Sequence, residues 1–97
     1  MNKKVKFKRW VGEAQFAKYE NGNNAIRIVE ENGEPIATAS VNLEQVLPAD
    51  RVYIKDWSEN EGMLFALIDA GIVEDTGIIH PIGYVDAVEC KIFVDVQ

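Results

Sequence analysis

The stretch Tyr53-Ile54-Lys55-Asp56-Trp57-Ser58-Glu59-Asn60-Glu61-Gly62-Met63-Leu64-Phe65-Ala66-Leu67-Ile68-Asp69-Ala70-Gly71 decides the fold, because no other part of the chain carries a full set of helix signals. Ser58 and Glu61 have the spacing of a capping box, in which the hydroxyl accepts a backbone N–H and the carboxylate reaches back. Asp56, Glu59 and Glu61 place negative charge where a helix dipole is positive. Gly71 suits the left-handed conformation that ends a helix. The pattern predicts a helix from about Glu59 to Ala70, roughly three turns.

At about 100° per residue, Met63, Leu64, Leu67, Ile68 and Gly71 share one arc and form the expected core face. Phe65 falls at its border. Trp57, just before the cap, is in position for a hydrophobic staple toward Gly62 or Met63. Trp57, Glu61, Phe65 and Asp69 are therefore the candidate protein interface: two aromatic residues not fully claimed by the core, beside two acids.

Upstream, Ala25-Ile26-Arg27-Ile28-Val29-Glu30-Glu31 and Glu34-Pro35-Ile36-Ala37-Thr38-Ala39-Ser40-Val41 flank Asn32-Gly33, a strong short hairpin signal. A two-residue loop pairs Glu31 with Glu34, Val29 with Ile36, Ile28 with Ala37, Arg27 with Thr38 and Ile26 with Ala39. Ile26, Ile28, Ala37, Ala39 and Val41 then share one face, with Arg27, Thr38 and Ser40 on the other. Pro35 falls opposite Glu30 at a non-hydrogen-bonded pair, which predicts no second neighbour for the start of its strand.

Lys4-Val5-Lys6-Phe7-Lys8 alternates with period two and reads as a strand with a lysine-guarded outer face. Ala14 to Tyr19 is a further strand, followed by a turn at Asn21-Gly22-Asn23-Asn24. Leu43 to Asp50 reads as a connection with one turn of helix at most, and Arg51 to Lys55 as a strand. After the helix, Glu74-Asp75-Thr76-Gly77 is an expected turn. Ile78 to Tyr84, broken by Pro81 and Gly83, is irregular or edge-like. Val88 to Val96 is a strand with Val88, Cys90, Ile92, Val94 and Val96 on one face. The expected fold is α+β: one domain over residues 1–97, a mostly antiparallel sheet of about five to six strands, and one α-helix packed on a face.

Ninety-seven residues, 47% of them hydrophobic, suffice for one small core. The longest uncharged apolar run, Met63 to Ile68, falls far short of the roughly 20 residues of a membrane span. Basic residues interrupt the N-terminal region where a signal peptide would be apolar. A single cysteine, Cys90, leaves no internal disulfide and fits a reducing cytoplasm.

The net charge of −6 is unevenly spread: residues 1–10 hold five cations and no acid, so the rest of the chain carries −11. From Asp56 to Cys90 there are eight acids and no lysine or arginine. That balance argues against nucleic acid as the main partner, which needs clustered cations to neutralise phosphates, and favours a protein with a basic surface.

Catalytic signals are sparse. The one histidine, His80, sits beside Pro81, Cys90 is on an apolar strand face, and of the two serines, Ser40 and Ser58, the latter is an expected cap. No metal-ligand spacing, calcium loop or phosphate loop is present, so neither a catalytic residue nor a cofactor is assigned. A small enzyme or enzyme subunit using carboxylates with His80 is the alternative reading, and a self-associating structural domain is a third.

Asp50-Arg51-Val52-Tyr53-Ile54-Lys55-Asp56, Glu61-Gly62-Met63-Leu64, Ala70-Gly71-Ile72-Val73, Thr76-Gly77 and Gly83-Tyr84-Val85 together resemble small acidic proteins carried by phages, plasmids and conjugative elements of bacteria. The resemblance covers the C-terminal half of the chain. It implies a protein that binds host or element proteins, inhibition of a nucleic-acid-handling or defence protein being one form of that action.

Overall fold

In the computed structural model, which describes residues 4–93, seven strands form two antiparallel sheets with one short helix. The first sheet has the order β1 (Lys4–Phe7), β2 (Trp10–Lys18), β3 (Asn24–Val29), β4 (Pro35–Thr38). The second combines β5 (Arg51–Ile54), β6 (Val73–Ile82) and β7 (Val85–Ile92) in the order β5-β7-β6. The class is α+β, as expected, but seven strands in two sheets replace the expected five to six in one. Lys3, Val94 and Val96 lie outside the described residues.

Period-two patterning explains the strands that match expectation. Val5 and Phe7 are buried while Lys4 and Lys6 face solvent, and β1 is an outer strand. Across the central hairpin Arg27 pairs with Thr38 and Ile28 with Ala37, in the expected register. At its tip the register slips, so that Val29 meets Pro35 instead of Ile36. Glu30 N donates to Glu34 O and Gly33 N to Glu30 O, both at 2.8 Å, making a three-residue loop. Gly33, at φ +90°, supplies the left-handed residue that such a loop needs. The displaced Ile36 reaches Gly12, where an added Cβ would lie 2.8 Å from its terminal carbon and 2.5 Å from Val29 O.

The sheets join through Ser40, which bridges to Ile54, with Val41 N donating to Tyr53 O and Lys55 N to Ala39 O. Ser40 was expected on a solvent face but is buried, its Oγ accepting from Ile26 N at 3.0 Å. The joint gives it backbone neighbours on both sides. The main core lies between the sheets and includes Val5, Ile26, Ile28, Val52, Ile54, Cys90 and Ile92.

Helix α1 (Met63–Asp69) packs against β1 and β6, one outer strand of each sheet. It is shorter than expected, because Ser58–Asn60 forms a separate 3₁₀ turn and Gly62 takes φ +96° between the two. The Ser58 hydroxyl caps neither segment. Asp56 does that work instead: its Oδ1 accepts from Gly62 N at 3.1 Å and Leu64 N at 2.9 Å. Asp56→Ala should therefore cost about 1 kcal/mol in a urea melt, and Ser58→Ala clearly less. The buried face also differs from the expected arc: Ala66 is buried with Met63 and Leu67, while Ile68 is 42% exposed. The expected staple is absent too. Trp57 packs on a second cluster of Leu47, Tyr53 and Ala87, whereas Met63 belongs to the main core.

This second cluster shows that the 41–47 segment covers part of the sheet face opposite the main core, at Tyr53 of β5 and Ala87 of β7. That segment has no helical turn and is held from the Asn21–Asn24 turn. Asn23 Nδ2 donates to Asn42 Oδ1, Leu43 O and Gln45 O, and its Oδ1 accepts from Leu47 N at 2.9 Å. Asn24 Nδ2 donates to Ala49 O and Arg51 O, both at 2.8 Å.

Candidate functional site

The four predicted interface residues occupy different settings. Phe65 is 72% exposed on the outer side of α1, and Asp69, four residues on, shares its helical row and is exposed. Glu61 is exposed in the link before the helix. Trp57 is half-buried on the second cluster, with Lys55 Nζ 5.8 Å from its ring centroid. The structure thus places Phe65 and Asp69 together and assigns Trp57 largely to packing.

Strand β6 adds apolar surface that the sequence reading missed. It is an outer strand of ten residues, and Glu74 to Gly77, expected as a turn, is a bulge inside it between Asp75 and Ile78. The bulge uses turn chemistry: Gly77 N donates to Asp75 Oδ1 at 2.8 Å, and Gly77 has φ +83°. Ile79 is 53% exposed and pairs with Val88, which packs on the main core. Cross-strand partners share a face, so Ile79 lies on the core side of the sheet. Tyr84, in the turn to β7, is fully exposed.

The other face of the sheet carries a polar cluster. Glu89, in the central strand β7 and only 6% exposed, stands opposite Tyr53, with Arg51 and His80 as diagonal neighbours on either side. Arg51 donates to Glu89 Oε2 at 2.5 Å, and His80 Nε2 meets Oε1 at 2.8 Å. The Tyr53 and His80 rings meet edge to face at 4.9 Å. Burial by itself raises the Glu89 pKa, but the hydrogen bonds from His80 and Arg51, with their charges, outweigh it and hold the carboxyl below its ordinary 4.5. Tyr53 is shifted upward, by burial first and by Glu89 second.

The sign of the Glu89 shift fixes its pH dependence. A lowered carboxyl pKa contributes stability that is complete above the unfolded value, about 4.5, and is lost as pH falls through the folded value. Glu89→Gln should cost about 2 kcal/mol at neutral pH, the scale of hydrogen bonds to a charged group. Melts repeated at decreasing pH should show the two proteins converging below the ordinary carboxylate range.

Cys90 and His80 form no catalytic pair. Cys90 is buried in the main core, and its thiol is pushed up to about 12 by burial first, then by the charges of Asp75, Asp56 and Glu89. His80 points with Glu89 to the opposite side. Among the described residues no group of three or more His, Cys, Asp or Glu could hold a metal ion, and no helix is long and apolar enough to cross a membrane.

The His80–Glu89 pair was legible only through the β6–β7 register. The two-residue Gly83-Tyr84 connection, which pairs Ile82 with Val85, was the available signal. No family model, curated protein or solved structure matches this chain.

Proposed function

We propose that this chain is a non-enzymatic protein-binding module of a mobile genetic element, and that it binds a host or element protein through the outer side of α1. The partner has a basic surface, and inhibition of a nucleic-acid-handling or defence protein is the expected consequence. Exposure of Phe65 carries the reading: a phenylalanine left in water gains about 1.5 to 3 kcal/mol when a partner covers it. Exposed Ile68 extends the apolar surface on the helix, and the acids Glu61 and Asp69 give it a negative rim. An aromatic anchor with a charged rim suits a binding hot spot, and the rim suits a basic partner. The mobile-element context rests on the sequence resemblance.

Capture on the immobilised chain from a bacterial lysate tests this, followed by association rates at increasing salt. Retention of a basic protein whose on-rate falls steeply with salt supports the reading. Retention of nucleic acid alone, or an on-rate indifferent to salt, contradicts it.

The 2.8 Å contact between His80 and Glu89 favours a second reading, a small enzyme or enzyme subunit using carboxylates with His80. A histidine oriented by a carboxylate is suited to proton transfer. Against it, both Glu89 oxygens are already engaged, and the nearby Thr76 hydroxyl donates to Glu89 O at 2.6 Å.

A further inference from the structure

A cleft of about 540 Å³ is lined by Trp10 at the start of β2, Tyr19 just past its end, Ile36 to Thr38 of β4, and Glu59 and Asn60 of the 3₁₀ turn. Its walls include Lys8, Lys55, Glu59 and Ser40, and none of Phe65, Ile68, Ile79 or Tyr84 contributes to it. In a chain of net charge −6, this cleft has two ammonium groups against one carboxylate. Lys8 Nζ donates to Glu59 O at 2.9 Å and Lys55 Nζ to Glu59 Oε2 at 2.8 Å. Each ammonium has three N–H donors, so these contacts leave donors for a ligand. The guanidinium of Arg9 lies 5.1 Å from the Trp10 ring centroid and adds positive charge beside that ring.

The apolar part of the lining is partly accessible. Trp10 is 39% exposed, and Ile36 and Val41 supply aliphatic wall. At the polar side the Tyr19 and Ser40 hydroxyls are hydrogen-bonded at 2.9 Å. The volume falls within the roughly 300 to 1,000 Å³ typical of small-molecule sites, which combine apolar walls with a few placed polar groups.

We propose that this cleft binds a ring-bearing organic monoanion of the aromatic carboxylate class, with the ring against Trp10 and the carboxylate held by Lys8 and Lys55. The small local excess of positive charge suits a single anionic group, and the acidic remainder of the chain opposes a polyanion. The site is independent of the α1 surface.

The test is a titration of the full chain with naphthalene-1-carboxylate, followed by amide and indole proton–nitrogen correlation spectra, with naphthalene-1-methanol as the uncharged control. Trp10→Phe distinguishes the Trp10 indole signal from that of Trp57. The expected result is saturable shifts at the Trp10 indole and around Lys8, Ser40 and Lys55, with a Kd on the order of 1 mM for so small a ligand. The alcohol should bind about tenfold more weakly, having lost its charge-assisted hydrogen bonds. The double variant Lys8→Gln, Lys55→Gln should weaken the carboxylate by at least about tenfold and leave the alcohol unchanged. No saturable shift at Trp10, or equal affinity for acid and alcohol, overturns the proposal. Should the double variant not fold, the acid–alcohol comparison on the unmodified chain still decides.

Discussion

Leu67→Ala is expected to lower the unfolding free energy by roughly 2 to 5 kcal/mol, the range for truncating a fully buried leucine. Leu67 is wholly inaccessible and belongs to the core cluster that draws on both sheets and the helix. A seven-residue helix has almost no stability of its own, so its position depends on packing. The Leu67 backbone also belongs to the helix exit, where Ile72 N donates to its carbonyl at 3.0 Å. Truncation therefore leaves a cavity beneath the element that spans β1 and β6. Urea melts should show the full loss in the midpoint. A loss below about 1 kcal/mol would contradict the packing described for α1.

Asn23→Ala is the second large effect, at about 3 kcal/mol. Asn23 is 3% exposed and makes four hydrogen bonds to the 42–47 segment through one side chain. Removing it leaves the buried Leu47 N without its acceptor, while Gln45 O keeps the Tyr53 hydroxyl as a donor, and a buried polar group left unpaired costs about 1 to 3 kcal/mol. The same bonds hold Leu47 against Tyr53 and Ala87, so loosening them uncovers the outer face of the second sheet. Faster amide exchange at Leu47 than in the β2–β3 pair should accompany the lowered melt. An unchanged melt would mean that the segment is held without the Asn23 side chain.

Legibility in the sequence followed the range over which each signal acts. β1, β5 and the inner pairs of the central hairpin were readable because alternation fixes both period and register. The helix was located but expected to start too early: Ser58 and Glu61 match a capping box, yet Gly62, at φ +96°, breaks the helical path just after them and Asp56 takes the exposed N–H groups. Asp75-Thr76-Gly77 has the same local chemistry in a bulge as in a turn, and only pairing with β7 distinguishes the two. The expected turn at Asn21 to Asn24 holds up to Asn23, Asn24 opening β3, but these side chains act on residues some twenty positions away, which no local pattern encodes. Of the candidate site, helical spacing placed Phe65 at the edge of the core stripe and the structure puts it in solvent. Trp57 went to a cluster in which Leu47 and Ala87 come from other segments of the chain.

The binding account is tested most directly by measuring melting, partner affinity and cellular function together on Phe65→Ala and His80→Ala. Because Phe65 is mostly in water, Phe65→Ala should leave the melting curve nearly unchanged while weakening partner binding by about 1 to 2 kcal/mol or more, as truncated aromatic anchors do. His80→Ala should retain partner binding. Phe65→Ala that binds as tightly as the unmodified chain, with His80→Ala alone abolishing function, would contradict the account and support an enzyme acting through its one imidazole.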